Sequence, residues 1–350
     1  MITQKVDQQD DLLGVYHEWI RRLADRVSAV SVICLFRGVA QLPENVFVYS
    51  LGKENRTPSF LKRVRYAVRF YRRLWQLRGA YDVVFVHMNK EYVLLGAPFW
   101  KLFGKKVVFW YNHPQGDTAA RLAMRWANTL LYTSPASFTA QYQKAIQMPV
   151  GVVTAATLPE HTRHNPFQVI AVSRLSPVKN IHVMVDAMAA LGDQKISVQF
   201  DLYGDPVARA EDRGYVDRLM PTIRKIGETI RLHPAVPNTE IAAVFKNADL
   251  SLNLTKTGSM DKTMFESLVA GCPLVSSNQV LKDMLPEKWR GNVVCKENDA
   301  VDCAKKIDAI RVMPEVDYQA MRRDLFLWVS KEHSLDALVA RLCGVLSSSV

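Results

Sequence analysis

Cysteine is scarce and unpatterned: the 350 residues hold five (Cys34, Cys272, Cys295, Cys303, Cys343), none in a C-x-x-C pair. That argues against a disulfide framework or a cysteine zinc site and fits a reducing compartment. No stretch reaches the roughly 20 uninterrupted apolar residues of a membrane span. The nearest, Tyr92 to Tyr111, is broken by Lys101, Lys105 and Lys106. The amino-terminal MITQKVDQQDD turns acidic where a secretory signal needs an apolar core. G-x-G-x-x-G and D-x-D are missing too, so neither a dinucleotide fingerprint nor a paired-aspartate metal site is expected. A cytoplasmic location follows, with a peripheral position on the inner membrane face as a variant of it.

The chain is 49% hydrophobic and 23% charged, close to ordinary globular averages and far from disordered ones. Its length suggests about two domains. The formal charge of +11 is concentrated. Lys53 to Arg78 carries nine Lys or Arg against one acid, Glu54, a local balance of 9 − 1 = +8.

Short β-branched runs alternate with longer helical patterns, the sequence mark of parallel α/β units. Strands are expected at Ile2 to Val6, Ala29 to Leu35, Asn45 to Tyr49, Asp82 to His87, Lys106 to Tyr111 and Val150 to Thr154. The second set is Gln168 to Ser173, Ser197 to Tyr203, Thr229 to Leu232, Leu250 to Leu254, Pro273 to Ser276 and Asn292 to Cys295. Helices are clearest at Leu12 to Arg26, Phe60 to Leu77 and Thr118 to Leu131. The polar, proline-bearing stretch Leu158 to Pro166 interrupts the pattern and marks a linker. The expected layout is an amino-terminal Rossmann-like domain over 1–160 and a second over 161–327, facing a central cleft.

Ligands of open parallel sheets bind at the carboxyl ends of the strands, so residues just beyond each strand carry the chemistry. AVSRLSPVKN, Ala171 to Asn180, leaves a strand and enters a helix through Ser176 and Pro177, with Arg174 and Lys179 flanking the turn. A lysine in a helix's first turn opposes the helix dipole, and a bound anion explains it better than helix stability does. Leu250 to Leu254 leads into TGSMDKT and a helix ending at Gly271. Thr263 and Glu266 there form a T-x-x-E capping box, which alone would explain Glu266 as a cap. Lys262 and the free N–H groups of the same helix start make an anion site.

The R-x4-K pair, the loop and x-E-x3-A-G-x-P-L-V together resemble the carboxyl-terminal domain of retaining glycosyltransferase family 4, which has the GT-B fold. The resemblance covers most of the second half. It implies that Arg174 and Lys179, with Lys262 and Thr263 at the helix start, bind the diphosphate of a UDP- or GDP-linked sugar, and that Glu266 holds the ribose. The family's usual second glutamate falls on Gly258, and Asp261 or Lys262, with Ser259 nearby, are the substitutes expected at the sugar. Gly204 of YGDP and Val236 of HPAV would line the nucleotide cleft. No metal and no cofactor are expected, since fixed cations can offset phosphate charge.

In the same family the first domain binds the acceptor, here a glycan or a lipid-linked one. His87 and His113, each at the end of a strand, are the catalytic candidates there. Asp10 and Asp11 read as N-caps. Phe60, Leu61, Val64, Val68, Tyr71 and Trp75 form a helical stripe expected to pack into the core. The cationic side of 60–77 is left outward, where it can meet an anionic membrane. No nucleic-acid reader motif accompanies the charge. Trp328 to Val350 is expected to form a helix crossing back to the first domain. The implied activity is sugar transfer in glycan, polysaccharide or glycolipid synthesis. The alternative is a GT-B scaffold with impaired catalysis, favoured by Gly258 and by AATLP at Ala155 to Pro159.

Overall fold

The computed structural model describes residues 1–10, 14–54, 61–206 and 214–348. The chain divides into two compact units, one of Met1–Pro149 with Leu335–Val350, the other of Val150–Ser334.

In unit 1 the strands are β1 (Ile2–Val6), β2 (Val30–Arg37), β3 (Val46–Ser50), β4 (Val83–His87), β5 (Lys106–Trp110), β6 (Thr129–Tyr132) and β7 (Ala145–Gln147). They form one parallel sheet in the order β3-β2-β1-β4-β5-β6-β7. Helices α1 (Val15–Ala24), α2 (Lys62–Leu77), α3 (Lys90–Leu102) and α4 (Thr118–Trp126) connect them. Runs such as VVFVH and KVVFW are apolar on both faces because both faces are covered. Side chains alternate across the sheet. Val84, Val86, Val107 and Phe109 meet Phe70 and Leu74 of α2 and Trp100 of α3. Phe85, Val108 and Trp110 meet Trp19 of α1 and Leu335, Leu338, Val339 and Leu342 of the carboxyl-terminal helix Leu335–Ser348.

Unit 2 holds β8 (Phe167–Val172), β9 (Val198–Tyr203), β10 (Ile230–His233), β11 (Leu250–Asn253) and β12 (Leu274–Ser276). Its helices are α5 (Ile181–Asp193), α6 (Tyr215–Ile226), α7 (Ile241–Lys246), α8 (Lys262–Val269), α9 (Gln279–Met284), α10 (Arg290–Val293), α11 (Ala300–Arg311) and α12 (Glu315–Glu332). The parallel sheet runs β10-β9-β8-β11-β12, so the winding reverses between β8 and β11. That reversal opens a crevice at the carboxyl ends of these two strands.

Several local expectations need correction. Thr118 to Leu131 is not one helix. The chain turns extended at Ala127, Asn128 Oδ1 accepts the Val107 N–H at 2.8 Å, and Thr129 onward pairs with β5. Val150 to Thr154 and Asn292 to Cys295 are not strands, for each contributes only a single bridge, Val152 to Ser334 and Val294 to Ser276. Gly14, not Asp10, is the N-cap of α1, and Asp10 is ion-paired with Lys5. Asp11 lies outside the described residues, as does Phe60.

The apolar stripe on α2 faces outward. Leu61, Val64, Val68, Tyr71 and Trp75 are 41 to 62% exposed, while Phe70 and Leu74 supply the buried face. The stretch Leu158 to Pro166 lies inside unit 2, held by a polar clasp. The buried Asp249 carboxylate accepts from His161 Nε2 at 2.7 Å, His164 Nδ1 at 3.1 Å and the Gln168 N–H at 2.7 Å. Burial would raise the pKa of Asp249, but these donors hold it below the usual carboxylate value. Trp328 lies in α12 and packs on Phe265 and His333.

Candidate functional site

The crevice side of unit 2 is built from the segments that follow β8 and β11. After β8, Ser176 and Pro177 open a single 3-10 turn, Pro177–Lys179, rather than the expected α-helix. The α-helix starts only after Asn180, whose left-handed backbone (φ 52°) is fixed by its side-chain amide donating to the Leu254 carbonyl at 2.9 Å. This break lets Lys179 turn inward. It is 8% exposed, although lysine is rarely buried without a partner.

That partner is Asp261. The Lys179 ammonium pairs with Asp261 Oδ2 and donates to Thr255 Oγ1 at 3.3 Å. Asp261 Oδ2 also accepts from Asn253 Nδ2 at 3.1 Å and Thr255 Oγ1 at 3.2 Å. The carboxylate additionally caps α8 by accepting from the Thr263 N–H. Burial would raise its pKa, yet the Lys179 charge and these donors keep it below the ordinary value. Asp261 is therefore an ionised N-cap.

This corrects the expected capping box. Thr263 sits inside α8, with its hydroxyl accepting from Asn253 Nδ2 at 2.9 Å, and the cap is Asp261. Glu266 is thus free of capping duty. Its carboxylate lies 3.6 Å from the Lys262 ammonium one turn earlier, and both side chains are about a quarter exposed. Burial raises the Glu266 pKa against the pull of Lys262, and lowers that of Lys262 against the pull of Glu266. The pair is under-solvated and suited to hydrogen-bonding polar groups of a ligand.

Arg174 is exposed and makes no hydrogen bond or ion pair through its guanidinium with the described residues. Gly258, where the second glutamate was expected, is buried with φ 101°, and its N–H donates to Asn278 Oδ1 at 3.3 Å. A residue with a side chain is strained in that conformation. Asn278 also ties down Ser259 by donating to its carbonyl at 2.7 Å. Gly204 is required by close approach, since a Cβ there would lie 1.8 Å from the Ser173 carbonyl oxygen. Val236 is half-buried against the cluster that includes Tyr203. Nearby, His233 stacks on Tyr203 with ring centroids 4.3 Å apart and bonds Asp201 at 2.7 Å.

The unit 1 histidines differ from one another. His87 is 4% exposed among Tyr16, Trp19, Phe85 and Trp110, and burial pushes its pKa down to about 3. Enclosure among these rings favours the neutral imidazole. His113 lies three residues beyond β5, not at its end. It is exposed, and its Nδ1 lies 2.9 Å from the Gln115 carbonyl oxygen and 3.1 Å from the Gln115 N, so the ring is held against the backbone of that turn.

Asn253, Thr255, Asn180 and Asn278 were missed by sequence reasoning. The signal was the polar interruption N-x-T at the end of the apolar strand LSLN.

Two parallel Rossmann-like sheets with helices match the GT-B architecture of solved glycosyltransferase structures. The family model described as glycosyl transferases group 1 matches residues 166–311, the region holding this cluster. A putative colanic acid biosynthesis glycosyltransferase, WcaL, of Escherichia coli K12 is 22% identical over 169 residues, 47% of this chain and 40% of that protein. Among solved structures, Anabaena Alr3699/HepE in complex with UDP and glucose superposes with a TM-score of 0.73 at 17% identity, covering 99% of each chain. Sucrose-phosphate synthase from Thermosynechococcus elongatus gives 0.73 at 13% identity, covering 99% of this chain and 98% of that one. The shared property at such identities is the fold.

Proposed function

We propose that the protein is a retaining glycosyltransferase of the family 4 type, moving a hexosyl group from a UDP-linked donor to an acceptor hydroxyl in glycan, polysaccharide or glycolipid synthesis. The observation that carries this reading is the convergence of Lys179, Asp261, Thr263 and the start of α8 at the β8–β11 switch point, with Glu266 left free of capping. In this scheme the donor diphosphate meets Arg174, Lys179, Lys262 and the first-turn N–H groups of α8. Glu266 accepts from the ribose hydroxyls, Gly204 and Val236 border the nucleoside, and Ser259 and Asp261 flank the sugar.

During transfer the bond from the anomeric carbon to the β-phosphate oxygen breaks, and the acceptor oxygen bonds to that carbon. The acceptor's proton leaves with the nucleoside diphosphate or to solvent. The charge gathering on the β-phosphate is offset by cations already in position, which stabilises the transition state without metal. The uridine nucleotide is suggested by the UDP complexes of Alr3699/HepE, and the polysaccharide context by the name of the Escherichia coli relative. His113 is retained as a ligand-facing candidate because it is exposed; His87 is not.

A second reading, a GT-B nucleotide-sugar-binding scaffold, is favoured by the prior engagement of Lys179 by Asp261. Incubation with a panel of UDP- and GDP-sugars, reading nucleotide release and transfer, separates the two. Release from a UDP-hexose supports the enzyme. Saturable nucleotide binding without turnover on any donor supports the scaffold, and no nucleotide binding at all contradicts both.

A further inference from the structure

Unit 1 carries a surface that the donor chemistry does not use. Helix α2 has two apolar faces, and only one is packed: Phe70 and Leu74 are buried, whereas Leu61, Val64, Val68, Tyr71 and Trp75, spaced three and four residues apart, are exposed. The outer stripe continues onto its neighbours. Tyr71 donates to the Leu95 carbonyl of α3 at 2.6 Å, and the Trp75 ring meets Phe103 at 5.9 Å. Beside them Leu102 is 80% exposed, and Lys101 lies over the ring of Trp126 of α4 at 5.4 Å. An exposed apolar band spanning three helices is uncommon on a protein that stays in water.

On α2 its border has one sign. Lys62–Leu77 holds six Lys or Arg and no acid, with Arg63, Arg65 and Arg72 exposed beside the stripe. Aliphatic residues along a ridge, Tyr and Trp with a polar edge, and flanking cations match the layers of a bilayer interface from acyl boundary to headgroup. An acidic protein or a nucleic acid would satisfy the cations but leave Val64, Val68 and Leu102 unexplained.

We propose that the outer face of α2, continued by α3 and α4, docks on the surface of an anionic phospholipid bilayer, with Val64, Val68 and Trp75 entering the headgroup boundary and Arg63 and Arg72 meeting lipid phosphates. Among the described residues no helix is long and apolar enough to cross a membrane. The inference is independent of the proposed sugar transfer.

The test is flotation of the full chain with phosphatidylcholine vesicles with and without phosphatidylglycerol. Binding is expected only with the anionic lipid, weakened on the order of tenfold or more both by Val64→Asp with Val68→Asp and by Arg63→Glu with Arg72→Glu. All four positions avoid the core, so thermal melting should be unchanged. Absence of flotation overturns the proposal. So does flotation insensitive to the two valine changes, which would mean charge adsorption alone. A dimer in size-exclusion chromatography that the valine changes dissolve, without vesicle binding, assigns the face to a second copy and overturns it as well.

Discussion

The two sheets present opposite chemistry at comparable places. Behind the carboxyl end of β11 in unit 2, Asn253, Thr255, Asp261 and Lys179 form a buried, mutually hydrogen-bonded ionic cluster. At the carboxyl end of β4 in unit 1, His87 sits neutral inside a shell of aromatic rings. A polar residue at a strand end is thus not itself a sign of chemistry. What distinguishes the two is whether the surroundings stabilise charge or suppress it.

The largest expected break in this contrast is Lys179→Ala. It leaves the Asp261 carboxylate buried without its cation, and loss of one member of a buried pair costs roughly 3–5 kcal/mol. Chemical denaturation should show unit 2 losing about that much. Pairing the change with Asp261→Asn should restore much of the stability without restoring nucleotide binding. A loss in the double variant equal to the sum of the losses in Lys179→Ala and Asp261→Asn would show that the pair is not coupled.

Glu266→Gln sharpens the contrast from the other side. Since Asp261 is the cap, melting should barely move, while turnover falls roughly ten- to hundredfold, as for loss of a charge-assisted hydrogen bond. Glu266 also has a raised pKa, so donor affinity should fall with decreasing pH before an ordinary glutamate would protonate. A stability loss of more than about 1 kcal/mol, comparable to loss of a cap, would return Glu266 to a structural role.

The histidines give a pH signature. A histidine whose folded pKa lies below its unfolded value contributes stability above the unfolded value and loses it as pH falls. His87, at about 3, and His333, at about 4, should each cost stability as pH drops below about 6.5. The His87→Leu variant should flatten this slope for unit 1. Its turnover should keep the wild-type pH profile, whereas His113→Ala should lower turnover roughly tenfold with no change in melting. The smallest expected effect is that of EDTA on transfer, which should be none if fixed cations alone offset the diphosphate.

How much of this was legible in the sequence depended on what kind of signal each feature leaves. The two parallel sheets were readable because buried strands are continuous apolar runs, as in VVFVH and FQVIAV. Strands β6 and β7 were not. They have four and three residues, and TLLY follows a helix whose break at Ala127 carries no glycine or proline. Arg174 and Lys179 could be singled out by their place at a helix start and Glu266 through the family resemblance, yet the capping box was misassigned because Asp261 and Thr263 are both good caps, and it is Asp261 that caps α8. The outward stripe of α2 was unreadable in principle: helical periodicity reveals an apolar face but not whether anything covers it. The Asp249 clasp left only a weak H-x-x-H trace at His161 and His164.

The central claim is that the β8–β11 switch point of unit 2 is a nucleoside-diphosphate-sugar site. Calorimetric titration of UDP into the wild-type chain, Arg174→Ala and Glu266→Gln tests it most directly. The account predicts saturable binding, weakened on the order of tenfold by either substitution with both variants folded. Binding of equal affinity in all three proteins, or none in the wild type, would contradict it.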